Sequence, residues 1–81
     1  MRKNIASVID AFHAQEPFQE KTCRTDGRLV YSYGMLIAAR AADGTVLALD
    51  PRFAPSATTR GHMRAVVTSF PDARVVDAIR I

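Results

Sequence analysis

The chain has 81 residues and carries 11 Lys or Arg against 8 Asp or Glu, a net charge of +3. A hydrophobic content of 48% with 23% charged residues excludes a disordered chain, and 81 residues leave room for a single domain, 1–81. One cysteine and two histidines exclude an internal disulfide and give no metal-ligand spacing, so no metal or cofactor is expected.

Met1-Arg2-Lys3-Asn4 starts basic, but Asp10 and His13 interrupt the next stretch too early for a signal peptide. No stretch approaches the ~20 apolar residues of a membrane span. The expectation is a cytoplasmic protein with no membrane partner, which the unpaired Cys23 fits. A domain this small buries only about 60% of the surface its unfolded chain exposes. Homodimerisation is therefore expected as support for a thin core.

Ile5, Val8, Ile9 and Phe12 recur at the spacing of one helix face, with Asn4 as N-cap and Pro17 closing the segment. From Phe18 to Asp50 the pattern is that of strands. Asp26-Gly27 and Asp43-Gly44 are hairpin signals, and Gly34 punctuates a turn between them. Leu29, Tyr31 and Tyr33 alternate with Val30 and Ser32; sharing a face with Leu29 predicts that the tyrosines point into the core with their hydroxyls at its edge. Met35 to Arg40 reads as a central strand buried on both faces.

After Asp50-Pro51, Ser56 is the N-cap of a second helix whose face is Thr59, Met63, Val66 and Phe70, widened by Val67. Gly61 within it costs ~1 kcal/mol relative to Ala, which predicts a close contact or an early break. Pro71 stops the helix, and Val75, Asp77, Ile79 and Ile81 alternate as a last strand, the preferred reading over a short helical turn through Val75, Val76 and Ile79. The fold class is α+β: helix, antiparallel meander of three or four strands, second helix, short C-terminal strand, both helices on one sheet face.

Hydrolytic or transfer chemistry needs a nucleophile with a base in reach. Cys23 and His62 are the one thiol–imidazole pair to consider, and no local motif surrounds either. Cys23 reads as a small buried hydrophobe, and His62 as a boundary histidine bonded near Ser56. No catalytic residue is assigned. Ser56, Thr58, Thr59 and His62 form a hydroxyl-rich helix start, read as capping and packing in preference to an anion site for Arg60 and Arg64. Tyr31 and Tyr33 with Arg28 and Arg40 nearby suggest a base-stacking platform, against the plainer reading of core tyrosines. The candidate partner-binding residues are thus Arg28, Arg40, Arg60, Arg64, Tyr31 and Tyr33.

Thr25-Asp26-Gly27, Leu29, Tyr31-Ser32-Tyr33-Gly34, then Ser56-x-Thr58-Thr59-x-x-His62, resembles a family of small phage and prophage proteins with no assigned activity. The resemblance covers residues 24–64. Ala54-Pro55 departs from it, standing between Phe53 and Ser56, where the family joins aromatic and serine directly. Such a resemblance implies phage origin and action by stoichiometric binding. In size and lack of catalytic motifs the chain is similar in type to anti-CRISPR inhibitors of CRISPR effector complexes. The implied partner is a host protein or ribonucleoprotein complex with an acidic surface, contacted through Arg side chains. The alternative is a small basic nucleic-acid-binding regulator.

Overall fold

Apolar spacing and turn chemistry resolve into two helices laid on a six-stranded sheet in the computed structural model, which describes residues 3–80. Chain order is α1 (Lys3–His13), β1 (Phe18–Gln19), β2 (Cys23–Thr25), β3 (Leu29–Ser32), β4 (Met35–Arg40), β5 (Val46–Leu49), α2 (Ala57–Ser69) and β6 (Arg74–Val76). A short 3₁₀ turn, Pro51–Phe53, links β5 to α2. The class is α+β. Strand order follows chain order, with every neighbouring pair antiparallel except β5–β6. A parallel pair needs a crossover, and α2 supplies it.

Helix α1 presents Ile5, Val8, Ile9 and Phe12 to the sheet as its spacing predicts. It already includes Lys3, so Asn4 lies in its first turn instead of capping it. Gln15, at φ 58°, ends the helix two residues ahead of Pro17. Met63 and Val66 of α2 meet Val30, Ile37, Ala38, Ala48 and Leu49 of the sheet in the same core. Phe70, just past α2, sets its ring edge-on to Phe12 at 5.4 Å and stacks on His13 at 5.7 Å.

Each turn signal is used. Asp26 Oδ1 accepts the N–H groups of Arg28 and Leu29, which lowers its carboxyl pKa. Tyr33 and Gly34 both take positive φ, 52° and 86°, closing β3 onto β4 by a two-residue turn. The meander has five strands, β1 to β5, where three or four are expected, because β1 and β2 are very short. The last strand ends at Val76, short of Asp77 and Ile79; Ile81 lies outside the described residues.

Two further expectations need correction. The apolar run of β4 arises only in part from burial on both faces: Ala39 is 2% exposed on the outer face, but its row neighbours Leu29 and Leu47 are half-buried. A bulge opposite Val30 and Tyr31 leaves Ile37 as an extra residue, so Ile37 and Ala38 both enter the core. Gly61 neither breaks α2 nor receives a close neighbour: it is exposed, and an added Cβ meets nothing within 4 Å among the described residues. Gly61→Ala is therefore expected to stabilise the fold by roughly 0.5–1 kcal/mol, read as a raised melting temperature.

Candidate functional site

Ser32 closes β3, and its hydroxyl lies 2.7 Å from His62 Nδ1 and 3.2 Å from Thr59 Oγ1. Ser56 Oγ donates to Thr59 Oγ1 at 3.2 Å while accepting the Thr59 N–H at the helix start. Positions 56, 59 and 62 fall on one side of α2 because they are three residues apart. A consistent proton assignment runs Ser56 to Thr59 to Ser32 to His62, each hydroxyl donating to the next and Nδ1 accepting last.

His62 is thus no boundary residue. It is 2% exposed, Thr59 2% and Ser32 0%. A serine bonded to an imidazole has the outline of an activated nucleophile, yet Ser32 offers no surface where a substrate atom could land. The network's visible work is to pin α2 to the sheet. A buried hydroxyl stripped of its partner costs about 1–3 kcal/mol, so the register of helix on strand is tightly held.

That network also decides which way β3 faces. With Ser32 turned inward, Val30 turns inward too, and Leu29 and Tyr31 turn out. The expectation that the tyrosines point into the core fails for this reason. Tyr31 is half-buried on the outer sheet face, and Tyr33 is 63% exposed in the turn beyond it.

Both helices cover the inner face of the sheet, so the outer face stands free of them. Its side chains include two rows across the strands. One is Gln19, Arg24, Tyr31, Leu36; the other is Leu29, Ala39, Leu47, Arg74. Leu29, Tyr31, Leu36 and Leu47 are half-buried, while Arg24 and Arg74 are exposed at opposite corners. The Arg24 guanidinium lies 4.2 Å from the Tyr31 ring centroid. A depression of about 130 Å3 beside this stack is lined by Arg24, Tyr31, Tyr33, Gln19, Lys21 and Glu20, among others. The face combines apolar area, aromatic rings and cations, which suits the recognition of a macromolecule.

The structure scatters the arginines singled out from the sequence. Arg40 donates to Phe12 O at 2.9 Å and Gly27 O at 3.0 Å and covers the Phe12 ring at 4.3 Å. Those bonds tie the end of α1 to the β2–β3 turn. Arg28 is exposed in that turn, its Nε donating to Arg40 O. Arg60 and Arg64 are exposed on α2, in the layer opposite Tyr31, where Arg64 lines a groove of about 470 Å3 with Gly61 and Ala65. Arg28 and Arg40 meet at the β2–β3 turn, and Tyr31 and Tyr33 meet at the outer face, but no site gathers all six. Sequence reasoning misses Arg24 and Arg74; the signal that finds them is cross-strand alternation, once Ser32 is known to face in.

Ser56 caps α2 as expected, with Thr58 half-buried and Thr59 packed inward. Cys23 is buried opposite Ser32 on the neighbouring strand, and burial pushes its thiol pKa up. No cluster of three or more His, Cys, Asp or Glu suited to a metal ion occurs among the described residues. No described helix is long and apolar enough to cross a membrane. No protein-family model matches the chain, and neither a curated protein nor a solved structure matches it.

Proposed function

We propose that the protein acts by stoichiometric binding, without chemistry of its own, and that the outer sheet face is its contact surface. The observation that carries this reading is the free face itself: four half-buried large side chains flanked by Arg24 and Arg74, on the sheet side the helices leave bare. A phage-borne inhibitor of a host effector complex in the cytoplasm works in this way, and so does a small regulator. Both need a rigid surface and neither needs a reactive group.

The test is salt-dependent retention on immobilised polyanions: single-stranded DNA, heparin and polyglutamate. Arg24→Gln with Arg74→Gln removes two charges from the sheet face; Arg60→Gln with Arg64→Gln removes two from the helix layer. The first pair is expected to lower the eluting salt concentration clearly more than the second on at least one matrix. Equal shifts from both pairs, or no retention on any matrix, overturn the proposal.

A further inference from the structure

Resting on the reading of the outer sheet face as the contact surface, we infer that its partner is single-stranded nucleic acid, laid across the strands with a base stacked at Tyr31 and phosphates at Arg24 and Arg74.

Charge narrows the choice first. Every charged residue in the two outward rows is an arginine. Carboxylates stand in the flanking turns: Glu20 in the β1–β2 turn, Asp26 in the β2–β3 turn, and Asp43 in the β4–β5 turn, whose carboxyl pKa is lowered by hydrogen bonds from Thr45 and also by Arg74. A second copy packed face to face would bring arginines together with no carboxylate in those rows to meet them. The partner is anionic.

Geometry narrows it further. The centre of the face is apolar and its corners are cationic, so the partner must offer flat apolar surface and spaced negative charge together. A nucleic-acid duplex hides its base faces and presents phosphates; a single strand presents both. Arg24 and Arg74 sit on β2 and β6, four strand spacings or about 19 Å apart, enough for a strand of several nucleotides. At one corner, the guanidinium lies over the Tyr31 ring and Tyr33 stands exposed beside it. Bases stack on aromatic rings and on guanidinium planes alike, so this corner is a ready platform.

Sequence preference is expected to be weak. Stacking tolerates any base, and Gln19 is the one uncharged hydrogen-bonding amide in these rows.

The experiment is fluorescence anisotropy with a labelled mixed-sequence single strand of about twelve nucleotides, as DNA and as RNA, beside a duplex hairpin of equal charge. The single strand is expected to bind more tightly than the duplex. Tyr31→Leu should weaken that binding by roughly 5- to 150-fold while Tyr31→Phe holds it, since one stacked base contributes about 1–3 kcal/mol. Arg24→Gln and Arg74→Gln should each flatten the slope of log affinity against log salt by about 0.7. Melting curves confirm that each variant is folded. Equal binding by Tyr31→Leu and the parent, or duplex bound as tightly as single strand, overturns the inference. If single strands fail to bind while polyglutamate retention still depends on Arg24 and Arg74, the partner is an acidic protein: the contact surface stands and this inference falls. If no polyanion is retained, both fall.

Discussion

Phe12→Ala is expected to lower the melting temperature by at least about 12 °C, or to leave much of the protein unfolded at room temperature. Phe12 is wholly buried, with Phe70 against one side of its ring and the Arg40 guanidinium 4.3 Å from its centroid. Truncating a buried Phe to Ala costs about 3–5 kcal/mol, and a small domain loses roughly 4–8 °C for each kcal/mol. At about 0.05–0.15 kcal/mol per residue, a domain of this size holds only some 4–12 kcal/mol in all. One ring therefore accounts for a large share of the folded state. Circular dichroism during heating reads the effect; a shift under about 4 °C would mean that α1 is anchored elsewhere.

Gly27→Ala should be the next most damaging change. Gly27 has φ 101°, a conformation that burdens an L-residue by about 1–3 kcal/mol. Its added Cβ would also stand 2.8 Å from the carbonyl oxygen of Gln15 and 2.9 Å from the carbon. Those are backbone atoms at the end of α1 and cannot swing aside. Gly44→Ala is the matched control, since φ is 90° there but the space is open. Urea denaturation of both is expected to show a clearly larger loss for Gly27→Ala; equal losses would show that the close approach of turn to helix carries no strain.

Much of this architecture is legible from residue spacing. The α1 stripe, the glycine turns and the Ser56 cap are local patterns, and local chemistry settles them. The phase of β3 is not local. A face shared with Leu29 predicts that Tyr31 and Tyr33 turn inward, but Ser32 and Thr59 bond across a sequence separation of 27 and reverse that choice. The two motif stretches that look independent in the sequence, Tyr31-Ser32-Tyr33-Gly34 and Ser56-Ala57-Thr58-Thr59, are thus halves of one buried contact. The same long-range fact hides the outer face, because Arg24 and Arg74 share it only through sheet register. Arg40 misleads in the opposite sense: a cation at the end of a strand looks available, yet its donors are bonded to two backbone carbonyls.

The margins of the sheet bear on how molecules of this protein meet when concentrated. Its outermost strands, β1 and β6, span two and three residues. Margins so short give an approaching chain few free amide and carbonyl groups to copy. Fibre growth by strand addition has little to seize there, and the sticky area lies broadside, where it cannot template a ladder. Growth into amyloid by edge pairing is disfavoured at both margins.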